Sequence, residues 1–156
     1  MKNLFEQQGS VMISTLSPMN VPEISYAPFY KTDDKVYLYL SEESNHYVNM
    51  IANPICSIMA IDDESSVNNI YFRKRISFEC DVEKIDDVSS EIETAYANRN
   101  GVSSYEHIKN EHYFGWFVLT LKHGRLVEHH SKVFDLTRNE QGGFEKTKVT
   151  FRPHKN

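Results

Sequence analysis

The side chains able to do chemistry here are histidines, arginines and a scatter of hydroxyls, and their spacing sorts them. Arg73 and Arg75 are two apart, so on an extended segment they share a face and together could grip an anion, a carboxylate above all. Pairing with Glu79, Asp81 or a neighbouring strand is the ordinary alternative for exposed charges. His46 is the titratable donor of a polar run that also offers Ser41, Ser44 and Asn45. Ser25 and Tyr26 precede Pro28 in a segment that reads either as a pocket lining or as an ordinary edge strand, where proline removes no needed donor. His129 and His130 are adjacent and so face opposite ways on a strand, while His107 and His112 are five apart, which suits no joint metal site on a helix. His154, taken alone, is a solvated residue near a chain end. Cys56 and Cys80 are too few for a disulfide framework and read as reduced, buried thiols, with a redox pair as the lesser alternative. No glycine-rich phosphate loop, nucleophile elbow or Cys-x-x-Cys pair is present, which removes the nucleotide-triphosphatase and common hydrolase classes.

These residues must be held by one core, since 156 residues make about one domain. The formal charge is −5 with acids and bases interspersed, unlike the basic footprint of a nucleic-acid binder. The first eleven residues meet an acid at Glu6 and contain no apolar run of signal-peptide or membrane-span length, so a cytoplasmic protein without a membrane partner is expected.

Alternation predicts strands at Val11–Leu16, Val21–Tyr30, Lys35–Leu40 and Ile55–Ile61, the last nearly all apolar and read as a core strand. Ile70–Glu83 reads as a long strand that buries Phe72, Ile76, Phe78 and Cys80, with Tyr71, Arg73 and Arg75 on the other side. Helices are predicted from Ser44 to Ala52, stopping before Asn53-Pro54, from Ser89 to Asn100 with Gly101 as the stop, and from Ser103 to Asn110. Trp116–Leu121 and Arg125–Leu136 read as a hairpin about His123-Gly124. Beyond Gly142-Gly143, Phe144–Asn156 reads as a short strand or an ordered tail. Many short strands with late helices favour a mainly β fold, an antiparallel barrel with added helices, over a parallel α/β fold. A barrel domain at 1–140 and a C-terminal tail at 141–156 follow.

Three stretches carry a resemblance: Val21–Phe29 with SYAPF at its end, Tyr37–Pro54 containing SEESNHYVNMIANP, and FRKRISF at Phe72–Phe78. Together they resemble the HugZ-type heme-utilization proteins of the pyridoxamine-phosphate-oxidase-like (PNPOx-like), FMN-binding split-barrel superfamily. The resemblance implies an antiparallel split barrel, a homodimer, heme between the subunits, and a C-terminal histidine as axial ligand, here His154. It implies heme binding and oxidative heme degradation, with an FMN-dependent oxidoreductase and a non-enzymatic heme carrier as alternatives. It makes Arg73 and Arg75 candidates for the propionates, and Ser25, Tyr26, Ser41, Ser44, Asn45 and His46 candidates for cofactor contact. In the flavin enzymes the segment matching Ser41–Asn49 supplies basic side chains to a phosphate, whereas here Asn45 and Val48 stand at such places. Gly115 stands where the heme branch carries an acid, and His129-His130-Ser131 replaces a glycine-aromatic-glycine turn. Tyr37, Tyr39, Tyr71, Arg73 and Arg75 together make an aromatic face suited to the dimer interface.

Overall fold

A computed structural model describes residues 3–150. In chain order these form α1 (Leu4–Gln7), β1 (Ser10–Leu16), β2 (Pro22–Pro28), β3 (Tyr30–Lys31), β4 (Lys35–Ser41), α2 (Asn45–Ala52), β5 (Ile55–Ile61), β6 (Arg75–Ile85), α3 (Ser90–Asn100), α4 (Val102–Asn110), β7 (Phe114–His129), β8 (Lys132–Arg138) and β9 (Phe144–Lys148). All strand pairs are antiparallel, in the order β2-β1-β5-β6-β7-β4-β3, and β8 joins β7 to β9.

The inward positions follow the period of two. Val11 and Ile13, Val36 and Leu38, Ile58 and Ala60, Phe78 and Cys80, and Phe117, Leu119 and Leu121 all lie in one buried cluster. Cys56 and Cys80 are register partners across β5 and β6, both buried and both free thiols. Their mutual hydrogen bond, and then burial, push the Cys80 thiol far up in pKa.

β7 is the longest strand, and the predicted hairpin inside it does not form. Its first half, Phe114 to Thr120, pairs with β4; its second half, His123 to His129, pairs with β8; and β6 runs alongside both. The register between β6 and β7 shifts between Phe78 and Cys80, opposite Leu121–Gly124. A bulge inserts one residue and inverts the inward–outward phase, so two exposed positions, Lys122 and His123, fall together. In the sequence that phase break has the signature of a turn. Gly124 is required by close approach instead: a Cβ there would lie 2.5 Å from the Phe78 ring and 2.6 Å from the Ser77 carbonyl oxygen.

The long strand predicted at Ile70–Glu83 begins only at Arg75, and Phe72 is 46% exposed rather than buried. Asn69 accepts the Tyr71 N–H through its side chain and folds Ile70–Phe72 into a 3₁₀ turn. Lys74, which interrupts the alternation, marks where that turn hands over to the strand. Ile76, Phe78, Cys80 and Val82 are buried as expected.

The proposed aromatic face also divides. Tyr37 and Tyr39 lie beneath α3 and α4, in a second cluster with Tyr96, Tyr105 and Trp116, whereas Tyr71 is exposed. Tyr39 and Trp116 lie 4.7 Å apart by ring centroid, and Tyr96 meets Trp116 edge-on at 5.0 Å. The helices thus cover part of the face that the sequence assigned to a partner.

Adding a side chain to β7 at its tightest point should be costly, because the atoms met are a core ring and a backbone carbonyl. Gly124→Val is expected to destabilise the protein by about 2 kcal/mol or more, read as a lower urea midpoint. Gly9→Ala, whose Cβ meets nothing within 4 Å, should leave the midpoint unchanged.

Candidate functional site

The β2 strand, the end of β4 and the start of α2 converge because α2 is tied down by two asparagines one turn apart. Asn49, buried, donates from Nδ2 to Thr15 Oγ1 at 3.0 Å and to Glu23 Oε2 at 2.5 Å. Asn53 donates to the Leu16 and Ser17 carbonyls at 3.2 and 2.9 Å. These bonds fix α2 against the β1–β2 hairpin, and the first turn of α2 then stands beside the middle of β2.

Two cavities open there and share Ser25, Ser44 and His46. One, of about 430 Å³, is a groove between β2 and the helical pair, with Tyr26, Tyr39, Tyr105, Ile108 and Phe114 among its walls. The other, of about 440 Å³, lies at the start of α2 and holds Glu23, Thr15 and Asn45. Among the described residues, neither lining includes a lysine or arginine.

His46 lies at the junction of the two. Its Nδ1 is 2.9 Å from Ser25 Oγ, and burial lowers its pKa below the ordinary 6.5. Ser44 occupies the N-cap position of α2, but its hydroxyl donates backwards to the Ser41 carbonyl at 2.6 Å instead of capping. Ser41 in turn accepts the Glu43 N–H. On the helical side Tyr105 donates to Glu93 Oε1 at 2.7 Å, and burial, with that carboxylate, pushes its phenol pKa far up, so the groove wall stays neutral.

Of the residues singled out in the sequence, Ser25, Tyr26, Ser41, Ser44, Asn45 and His46 are brought together around these cavities. Arg73 and Arg75 are not. Arg73 lies outside β6 and is spent on its own loop, with Nε and Nη2 on the Asp62 carbonyl at 2.9 and 2.6 Å and Nη1 on Glu64 at 2.8 Å. Arg75 is exposed at the start of β6. β6 is the third strand from β2 in the sheet order, roughly 14 Å at ordinary strand spacing. The shared face predicted for the two arginines fails because the strand starts between them. His154 lies outside the described residues.

Gly115 faces the barrel interior, where a Cβ would come within 2.8 Å of Lys84 Cε and 3.0 Å of Tyr47 Oη. Its neighbours Phe114 and Trp116 take the helical side, so position 115 is not part of the groove wall. His129 and His130 stand at the β7–β8 turn, against the exposed Phe72 ring. The sequence reading missed Glu23, Asn49, Tyr105 and Phe114. The four-residue interval between Asn49 and Asn53, which puts both amides on one helical face, was the available signal.

Comparison with known proteins now bears on this arrangement. The sequence profile described as pyridoxamine 5'-phosphate oxidase matches residues 1–128, from α1 through nearly all of β7. The chain belongs to this family. ChuZ of Campylobacter jejuni has a family structure that superposes with a TM-score of 0.84 and 26% identity, over 98% of this chain and 63% of that one. HutZ of Vibrio cholerae, described in its structure as a heme storage protein, superposes with a TM-score of 0.70 and 23% identity, over 76% of this chain and 85% of its own. The same organism's HutZ sequence, named a heme oxygenase, is 30% identical over 78 residues, 50% of this chain and 44% of that protein. The matches thus span less than two thirds of ChuZ and under half of the HutZ sequence. Among the described residues, no helix is long and apolar enough to cross a membrane.

The position of His46 has a consequence for stability. Its folded pKa lies below 6.5, so as pH falls through that value the unfolded chain takes up a proton that the native protein refuses, and stability declines. His46→Asn should flatten this decline between about pH 7 and 5, measured as urea midpoints of the two proteins across that range. An equally steep decline in the variant would place the proton uptake elsewhere.

Proposed function

We propose that this protein is a heme-binding homodimer of the pyridoxamine 5'-phosphate oxidase family, acting in heme iron utilization. The observation that carries this reading is the pairing of an aromatic groove and a neutral imidazole with a helix start that holds Glu23 and no cation. A flavin phosphate is a dianion and needs charge-assisted donors, which that cavity lacks. Heme asks for the opposite: flat apolar walls for the macrocycle, a neutral nitrogen for the iron, and cations only at the propionate edge. When bound, heme supplies dioxygen activation, and the protein supplies its orientation and the exclusion of water. The relatives' names, storage protein and oxygenase, leave a carrier and an oxidative heme-degrading enzyme as the two versions of this function.

The dimer is proposed across the outer face of β2 and β1, where Ile24 is 72% and Tyr26 68% exposed next to Met12. An apolar patch of this kind beside a groove suits a partner. Across such an interface Arg75 is the propionate candidate, because Arg73 is already engaged by Asp62 and Glu64 in its own loop. His154, in the tail at 141–156, is proposed as an axial ligand. A cytoplasmic setting, with Cys56 and Cys80 reduced, completes the reading.

Hemin added to the purified chain should give a Soret band that saturates at a fixed ratio to protomer, while FMN should wash off during gel filtration. A yellow protein that retains FMN and gives no band with hemin would overturn the heme reading in favour of an FMN-dependent oxidoreductase. By light scattering the protein should be a dimer, and the double substitution Ile24→Glu, Tyr26→Glu should make it a monomer. Turnover of bound heme with a reductant then separates oxygenase from carrier.

A further inference from the structure

We propose that Cys56 and Cys80 form a redox site: two thiols at rest, they close to a disulfide between β5 and β6 when a peroxide reaches them. The inference stands apart from the heme reading and uses no residue of the groove.

The sheet supplies the geometry. Cys56 and Cys80 are direct register partners in the antiparallel pairing of β5 with β6, and both belong to the same buried cluster, so their side chains share one face of the sheet. Partners in such a ladder have Cα atoms about 4.5–5.5 Å apart, inside the span of about 4.4–6.8 Å that a disulfide bridges. The two thiols are hydrogen-bonded to one another, so the sulfurs already face each other. The chain has only two cysteines, and the fold sets them opposite one another on adjacent strands. A buried cysteine that serves only as a small apolar side chain needs no such partner.

A route to the pair accompanies it. A cavity of about 480 Å³ is lined by both cysteines together with Leu16, Pro22, Ser57 and Lys122. A peroxide, little larger than water, fits that space. The hydrogen bond with Cys56, and then burial, hold the proton on Cys80, so the attack falls to Cys56, the more exposed of the two at 7% against 3%. The Cys56 sulfur, as thiolate, attacks one oxygen of hydrogen peroxide. The O–O bond breaks, the released hydroxide takes up the Cys56 proton as water, and Cys56 becomes a sulfenic acid. The Cys80 sulfur then attacks the Cys56 sulfur, the S–O bond breaks, and the Cys80 proton leaves with the hydroxide as a second water. Two thiols are oxidised by two electrons in all, and one peroxide is reduced to two waters.

The link lies beside the anchor of α2. Cys56 is also the register partner of Thr15 on β1, and Thr15 accepts the Asn49 amide at 3.0 Å. Oxidation therefore ties β6 covalently to the strand that flanks this anchor.

The test treats the full chain, folded and at neutral pH, with hydrogen peroxide, and in parallel with diamide. After an acid quench and unfolding, free thiols are counted and the chain is digested and weighed. Free thiols should fall from two per chain to none, the mass should fall by two hydrogen atoms, the peptides holding Cys56 and Cys80 should be joined, and dithiothreitol should restore both thiols. The reaction should quicken as pH rises, because the thiolate is the nucleophile. The oxidised protein should melt about 5 °C or more above the reduced one. The double substitution Cys56→Ala, Cys80→Ala, checked for folding by its own thermal transition, should melt at the same temperature with and without oxidant. Cys80→Ser should accumulate a Cys56 sulfenic acid that dimedone traps. Two free thiols remaining under treatment that fully oxidises glutathione would overturn the proposal. So would oxidation to sulfinic acid without a link, or a disulfide formed only between chains.

Discussion

The architecture depends on one strand having two different neighbours along one edge. β7 gives its first half to β4 and its second half to β8 while keeping β6 throughout, so the sheet divides at its middle. A sixteen-residue strand cannot do this flat, because the twist accumulated along it would carry its inward residues out of the core. The bulge opposite Phe78 resets the inward phase, and the missing side chain at Gly124 lets the Phe78 ring close the gap. The cross-strand contact between Phe78 and Gly124 is therefore where the barrel is both bent and sealed.

The groove follows from that division. Because β4 pairs only with the first half of β7, its outward tyrosines lie next to the start of β7, and α3 and α4 pack there around Trp116. Gly101, at φ 98°, makes the sharp corner between the two helices that brings Tyr96 and Tyr105 onto the same tryptophan. The groove is the space left between this aromatic stack and β2, which reaches the site from the opposite edge of the sheet. Its polar end is set by α2, and α2 is set by Asn49 and Asn53. Removing either amide would take a donor from oxygens of the β1–β2 hairpin, the buried Thr15 hydroxyl among them, so the site and the fold share these bonds.

Much of this was legible in the sequence, and the failures have physical causes. Alternating residues in 11–16, 35–40 and 76–82 located strands and their buried sides because half-buried antiparallel strands must alternate. The helix stop at Asn53-Pro54 and the Ser89 cap were equally plain, with Ser89 accepting the Ile92 N–H at 3.3 Å. A bulge and a hairpin both interrupt alternation beside a glycine, as β7 does at Gly124, and only the partner strand distinguishes them. Phe72 fits a core pattern because a period of two survives by chance across a 3₁₀ turn; the Asn69 side chain that makes the turn acts over two residues and leaves no periodic trace. The polar cluster around His46 was visible as residue types, but its grouping with Ser25 depends on contacts across 21 positions that no local pattern encodes. Glu23 and Tyr105 escaped for the same reason.

Glu23 is the residue that gives the site its electrostatic sense. A carboxylate held by Asn49 lines the cavity at the start of α2, and a dianionic phosphate brought there would meet repulsion in place of pairing. The same carboxylate costs a neutral imidazole nothing. It lies on the wall next to His46, whose charged form is disfavoured by burial, so the ring keeps a lone pair at neutral pH without a proton to compete for it. The cation-free lining and the half-buried His46 therefore act in one direction on the proposed reading: they disfavour ligands that bind through a phosphate.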